Sequence, residues 1–223
     1  IANKGFDEQY NVWQYLVGAR GSLPVRDWTW DAFLAYDSTK HNQTMLNAVL
    51  KSRVQTLLNA ADGGASICAG GYNPFGVANA TSISDACRRY LTASPKSSEN
   101  LSQSQFQTVV QGSVVDLPAG PVSLAVLGAY RRNTYDFTPD ANLASQNVEA
   151  ILATASSRGK IGVKEIAAQL DVPLLRDLPL VHQLNLGAAA RYSDYTTSGG
   201  VKSYEGDVKW RPTNALRLRG SYQ

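Results

Sequence analysis

Charge is scarce in this chain of 223 residues. Asp, Glu, Lys and Arg together make up 17%, against roughly 25% in soluble domains. The net charge is +3 with both signs mixed along the chain. The clustered basic stripe that usually accompanies nucleic-acid binding is missing. No run of about 18 apolar residues exists, which excludes a transmembrane helix. It does not exclude a membrane, because barrel strands give a much weaker hydropathy signal. Histidine is limited to His41 and His182, and neither has ligand spacing with the two cysteines, so a zinc site is not expected. The sequence has no HExxH, GxSxG, Walker or dinucleotide motif. No enzyme activity and no cofactor are expected. Ile1-Ala2-Asn3-Lys4-Gly5 carries no secretory signal. A strand pattern is already under way near the start and is still running at Gln223, which reads as an internal fragment of a longer protein.

What the chain does have is alternation, clearest over 184–223. Leu184, Leu186, Ala188, Ala190 and Tyr192 alternate with Asn185, Gly187, Ala189, Arg191 and Ser193. After a Ser/Gly-rich break, Tyr204, Val208 and Trp210 alternate with Ser203, Glu205, Asp207, Lys209 and Arg211. Beyond Pro212-Thr213-Asn214, read as a turn, Leu216, Leu218 and Tyr222 alternate with Arg217, Arg219, Ser221 and Gln223. Period two places one set on each face of a sheet. A soluble sandwich gives the same alternation, so strand length and connection lengths must decide.

Eight strands are predicted, at about 10–23, 28–40, 105–117, 121–133, 160–172, 180–193, 201–211 and 215–223. Many reach ten residues or more, beyond the usual five or six and suited to a tilted bilayer crossing of about nine to eleven. Connections alternate in length. Those at 24–27, 118–120, 173–179 and 212–214 contain proline, and three of them are short. Those at 40–104, 133–159 and 194–200 are longer. Short turns at one rim and long loops at the other are the habit of outer-membrane barrels. The fold class expected is all-β: an antiparallel up-and-down meander, open at its first and last strands.

The first long loop carries Val49, Leu50, Val54, Leu57 and Leu58 at helical spacing, which predicts a short helix within 47–60. Cys68 and Cys87 lie in a Gly/Asn/Ser-rich stretch of the same loop. In an exported protein they would form a disulfide worth about 3 kcal/mol in a chain-entropy account; in a cytosolic one they would stay free thiols. Their exposed flanks favour the bond. Asn73-Pro74-Phe75-Gly76 reads as a tight turn, with Phe75 as an alternative ligand contact. The sequons at Asn42, Asn79 and Asn100 would matter only in a eukaryotic secreted protein.

The polar face gathers Glu165, Arg191, Glu205, Asp207, Lys209, Arg217 and Arg219. Across a ladder such residues stand about 5 Å apart and can pair. They read either as a structural charge ladder lining a wet lumen or as substrate contacts, with Arg131 and Arg191 as candidate ligand residues. Trp13, Tyr15, Trp28, Trp30, Tyr36, Tyr130, Tyr192, Tyr204, Trp210 and Tyr222 near strand ends suggest interfacial girdles. Lys164 and Lys202 fall on the apolar face. Each would cost about 2–4 kcal/mol at a bilayer midplane and little at its surface, which places them at the loop end of their strands.

Five segments together resemble a known family: Cys68 with Asn73-Pro74-Phe75-Gly76 and Cys87-Arg88-Arg89-Tyr90; Asp116-Leu117-Pro118-Ala119-Gly120-Pro121-Val122; Arg191-Tyr192-Ser193-Asp194-Tyr195; Lys209-Trp210-Arg211-Pro212; and Arg217-Leu218-Arg219-Gly220-Ser221-Tyr222-Gln223. They look like the barrel region of proteobacterial TonB-dependent outer-membrane receptors, and the most specific are Arg191–Tyr195 and the pair Lys209–Pro212 with Arg217–Gln223. The resemblance implies that residues 1–223 are about eight strands of a 22-stranded barrel. It implies a plug domain elsewhere that contacts the TonB complex, outer-membrane lipid as a partner, and a monomeric full-length receptor. It also implies uptake of a scarce ligand: an iron–siderophore complex, vitamin B12, a carbohydrate or a peptide. The alternative is a secreted or surface β-sandwich or autotransporter-type protein with a structural or adhesive role.

Overall fold

The structure, a computed structural model, describes residues 4–74 and 83–223. In chain order its elements are β1 (Gly5–Ser22), β2 (Thr29–Leu46), β3 (Ala48–Val49), α1 (Lys51–Leu58), α2 (Asp85–Leu91), β4 (Thr92–Ala93), β5 (Lys96–Leu117), β6 (Gly120–Pro139), α3 (Ala141–Ala144), β7 (Ser157–Leu178), β8 (Val181–Tyr195), β9 (Gly199–Thr213) and β10 (Leu216–Tyr222). Eight strands form one sheet in the order β1-β2-β5-β6-β7-β8-β9-β10, while β3 and β4 form a separate ribbon. Every sheet neighbour is also the next long strand in sequence, so the all-β meander is present. The sheet is not closed: β1 and β10 are its two edges. Contacts divide the chain into two compact units.

One unit comprises Trp13–Asp37, Ser102–Thr134 and Lys160–Gln223. Register here is fixed by pairs such as Leu170↔Ala188, Val172↔Leu186, Leu186↔Val208 and Trp210↔Leu218 on one face. Asp171↔Gly187, Gly187↔Asp207 and Lys209↔Arg219 stand on the other. The two faces therefore carry the residue sets that alternation predicts. Bulky aromatics on the apolar face lie over glycines of the next strand. A Cβ on Gly112 would stand 2.5 Å from Trp28 Cγ, and one on Gly21 2.9 Å from Trp30 Nε1. Such ring-over-glycine pairs fix strand register. Trp28 Nε1 also donates to the Ser113 carbonyl at 2.9 Å, so the indole's polar atom is satisfied at the sheet end.

The apolar face of this unit is bare. Val17 is 66% exposed, Ile166 58% and Leu218 47%. Among the described residues no second large sheet accompanies the meander, so the arrangement is not a two-sheet sandwich with an ordinary core.

The other unit comprises Ile1–Val12, Ser38–Leu101 and Tyr135–Gly159, and it does have an interior. Of eleven buried apolar residues among those described, eight lie here. Ala48, Leu50, Leu143 and Val148 form one cluster, stitched by Ala48↔Ala93 of the β3–β4 ribbon and the Leu50↔Val148 bridge. Leu57, Cys68, Cys87 and Leu91 form another between α1 and α2. Helix α2 starts where the Ser84 hydroxyl accepts from the Cys87 N–H, an N-cap that satisfies one orphan donor. Arg53 Nη1 donates to the carbonyls of Tyr90 (2.7 Å) and Thr92 (2.9 Å) where that helix ends.

Several sequence expectations need correction. The strands are longer than alternation predicts: β2 runs on to Leu46, and β5 begins at Lys96 rather than near 105. Apolar alternation fades there, but ladder hydrogen bonds do not require it. Residues 173–178 are strand, not loop, and the turn is 179–180. Pro173 sits beside a register shift between Pro173 and Leu175, a bulge being one of the few places a strand tolerates proline. The Pro212 turn lies two residues later, at 214–215, and the connection at 194–200 shrinks to three residues, 196–198. Strict alternation of short and long connections therefore fails at the β8–β9 hairpin. Two helices besides the predicted one are present, α2 and α3.

Candidate functional site on the polar face

Glu165, Asp171, Arg191, Glu205, Asp207, Lys209 and Arg219 share one face because the registers place odd positions opposite odd positions. At its centre Lys209 Nζ stands 3.0 Å from Asp171 Oδ2 and 3.2 Å from Asp207 Oδ1. The Asp171 contact is aligned as a hydrogen bond, whereas the Asp207 contact is one of charge alone. Asn185 Nδ2 donates to Asp171 Oδ1 at 3.0 Å. Four side chains from three strands thus form one network, partly shielded from water: Asp207 is 18% exposed and Lys209 41%.

Gly187 makes this network possible. Its ideal Cβ would stand 1.7 Å from Asp207 Oδ2, so the carboxylate lies in the space that only glycine leaves open. Gly187→Ala is expected to push Asp207 off its strand and cost about 1–3 kcal/mol through overpacking. Chemical denaturation checks this. Adding Asp207→Ala in the same chain should recover much of the loss, because the obstruction is then gone.

Of the other charges read from sequence, Glu165 Oε1 accepts from Ser193 Oγ at 2.8 Å. Arg191 stands opposite Ala167 and Ser203, and Glu205 opposite Ala189. Arg219 faces Lys209, a like charge. Among the described residues Arg191, Glu205, Arg217 and Arg219 have no carboxylate or cation within ion-pair distance, so of the charges on this face only Asp171, Asp207 and Lys209 pair with one another. Arg131 has a buried Nε without a hydrogen-bond partner. Phe75 lies outside the described residues. Cys68 and Cys87 are bonded, with Cα atoms 4.5 Å apart.

Arg191 and Glu205 border a groove of about 520 Å³ floored by Ala125, Ala167 and Ala189 and flanked by Gln111 and Gln169. Small floor residues with amide, guanidinium and carboxylate groups around them offer donors and acceptors to a polar solute without a deep apolar pocket.

Sequence reading missed a second cluster, in the other unit. The Tyr10 ring stacks on His41 at 4.2 Å. His41 Nδ1 lies 3.4 Å from Glu99 Oε2, and Gln43 Nε2 donates to Glu8 Oε1 at 2.8 Å. The residues are scattered over β1, β2 and β5, with no local spacing to betray them. Among the described residues no group of His, Cys, Asp and Glu is arranged to hold a metal ion.

Outside the strands, Asp27 accepts from the Ser113 hydroxyl (2.6 Å) and the Ser113 N–H (2.8 Å). These bonds, the hydroxyl's first, hold its carboxyl below the ordinary range. The folded value is depressed, so the stabilisation is complete above the unfolded value of about 3.9 and is lost as pH falls through the folded value. Asp27→Asn should flatten the acid limb of a stability–pH profile while leaving neutral-pH unfolding cooperative; unchanged acid sensitivity would count against the role given to Asp27.

No family model, curated protein or solved structure matches this chain.

Proposed function

We propose that this chain is part of the barrel wall and outer loops of a TonB-dependent outer-membrane receptor, which imports a scarce ligand using energy delivered through TonB. The observation that carries the reading is the inside-out burial of the strand-rich unit. Most of its apolar side chains on one face are exposed or half-buried, in a band bounded by polar residues. At β2 the band covers Trp28, just before the strand, and Trp30, Ala32, Leu34 and Tyr36 within it, and Ser38, Lys40 and Asn42 follow. In β6 it covers Val122 to Tyr130, then Arg132 and Thr134 follow; in β8 it covers Leu184 to Tyr192, then Asp194. Each band is nine residues deep, roughly 30 Å along a strand and about 21 Å when tilted by 45°. Outer-membrane barrels carry an apolar belt about 25 Å tall with aromatic girdles. Trp28, Trp30 and Trp210 lie toward one margin, and Tyr36, Tyr130, Tyr192 and Tyr204 toward the other.

In a bilayer every backbone polar group needs a partner. The unpaired edges at β1 and β10 therefore call for neighbouring strands, which a larger barrel supplies. The polar face, with its Lys209 network and the Arg191–Glu205 groove, then lines the lumen. The long connections at 47–95 and 140–156 form the outer loops that meet the ligand, which is an iron–siderophore complex, vitamin B12, a carbohydrate or a peptide. Deletion of the gene tests this. Growth should fail on one nutrient class, iron-limited medium or a single defined carbon source, and TonB loss should reproduce the defect. Normal uptake of every such ligand in the deletion strain would overturn the reading.

A further inference from the structure

A patterned wall stands at the loop ends of β1, β2, β5 and β6, inside the unit of 1–12, 38–101 and 135–159. Tyr10 of β1 stacks on His41 of β2 with ring planes 3° apart. His41 in turn meets Glu99 of β5. The Asp140 N–H donates to the Lys96 carbonyl, so three residues further along that ladder Phe137 of β6 stands opposite Glu99. Directly opposed residues share a face. Tyr10, His41, Glu99 and Phe137 therefore form one row across four strands. Counted along the same registers, the next row of that face holds Val12, Leu101 and Tyr135. On the other side of the row Gln43 donates to Glu8 at 2.8 Å.

Two properties of the wall restrict what it can hold. The first is charge. The lysines of these strand segments, Lys40 and Lys96, occupy even positions on the opposite face, with Asn42 and Ser98, which bond to each other. The wall keeps two carboxylates and no lysine or arginine. An anionic ligand, such as a ferric complex of catecholates or hydroxycarboxylates, meets like charge there without a counter-cation. The carboxylates are also engaged as acceptors rather than left as free charges. Glu8 takes the Gln43 amide and, at 3.5 Å, the Tyr10 hydroxyl, while Glu99 lies 3.4 Å from His41 Nδ1. That favours a hydrogen-bond donor over a cation as the group they receive. The second property is apolar surface between the acceptors. Tyr10 is 58% exposed, and one face of its ring rests on His41.

We infer that this wall binds a neutral polyhydroxylated ligand, an oligosaccharide, with C–H faces on Tyr10 and Phe137 and hydroxyls donating to Glu8 and Glu99. The inference rests on the receptor reading above and selects the carbohydrate among the four ligand classes it admits. A sugar ring presents the matching alternation: a C–H face for an aromatic ring, and at its rim hydroxyls for carboxylate and amide groups. His41 is a positioning residue, backing the Tyr10 ring and facing Glu99 at once.

The test is titration calorimetry on the full-length protein in detergent. The probes are four neutral hexasaccharides (maltohexaose, cellohexaose, xylohexaose and mannohexaose), an anionic oligogalacturonide, ferric citrate and hexalysine. One neutral hexasaccharide should bind. Glu99→Gln should weaken it about tenfold, the scale of one hydrogen bond to a charged group. Glu8→Gln should do the same, and serves if the first variant fails to fold. Tyr10→Ala should weaken binding as well, Tyr10→Phe should restore most of it, and Lys96→Gln on the opposite face should change nothing. Failure of all four hexasaccharides to bind, or equal affinity in the wild type and the folded variants, overturns the wall as a carbohydrate site. Tighter binding of the oligogalacturonide or of ferric citrate overturns it too. Hexalysine binding that Glu99→Gln abolishes overturns the carbohydrate in favour of a cationic peptide. The receptor reading fails separately. It falls if gene deletion leaves all uptake intact, even where hexasaccharide binding survives. It stands, and the carbohydrate falls, if the deletion strain fails only under iron limitation.

Discussion

Leu186→Arg should destabilise the lipid-embedded protein by about 2–4 kcal/mol, the cost of an arginine near a bilayer midplane on the lipid face of a barrel. Ala189→Arg, three residues along the same strand, should cost less than about 1 kcal/mol. The two differ only in face and neighbours. Leu186 stands between Val172 and Val208, whereas Ala189 stands between Gln169 and Glu205, where a guanidinium meets a carboxylate. In a water-soluble sheet with both faces wet, both substitutions would be tolerated, because Leu186 is already 38% exposed. Urea unfolding from vesicles measures the difference. Equal midpoints for the two variants would remove the lipid from the account.

The second large effect belongs to the loop unit. Cys68 and Cys87 are 19 positions apart and bonded, and a loop of that size is worth about 3 kcal/mol in a chain-entropy account. Both sulfurs are buried with Leu57 and Leu91, and Val54, Ile67, Tyr72, Ile83 and Tyr90 pack around them. The double change Cys68→Ala/Cys87→Ala keeps small apolar groups in that cluster and removes the covalent link. Limited proteolysis should then cut within 59–95 at low protease, while β8, β9 and β10 stay protected. Reductant should do the same to the native chain. Unchanged protection would mean that the two helices and the β3–β4 ribbon hold the loop without the bond.

Much of this architecture is legible in the sequence because alternation reports burial difference between two faces. Where that difference is large, as from Leu184 to Arg211, face and strand are both recovered. Where both faces are polar, as at Asn42–Gln43–Thr44 or Ser97–Ser98–Glu99, alternation carries no signal, and strand ends are read about six and nine residues short. Pro173 misleads for a related reason: proline argues against a strand interior, and only tertiary register shows that it stands at a bulge. Helix α2 has seven residues, too few for a period to show, although Ser84 before Asp85-Ala86-Cys87 is a readable N-cap.

The site is less legible than the fold. That Asp207 and Lys209 share a face follows from parity, but their union with Asp171 and Asn185 depends on which residues stand opposite across two ladders. Gly187 looks dispensable in sequence, and only the position of the Asp207 carboxylate gives it a task. The His41 cluster draws on residues separated by up to 91 positions, from Glu8 to Glu99. Such contacts are set by sheet order alone.

The central claim is that one face of β8 and β9 meets lipid and the other meets water. Nitroxide labels placed singly at 184–194 and 203–211 of the reconstituted protein measure this through their accessibility to oxygen and to a water-soluble nickel chelate. Oxygen accessibility should peak at Leu184, Leu186, Ala188, Ala190, Tyr192, Val208 and Trp210, and chelate accessibility at Asn185, Ala189, Arg191, Glu205 and Lys209. The oxygen signal should end at Asp194. Chelate access at Leu186 and Val208 equal to that at Ala189 and Glu205 would contradict the claim.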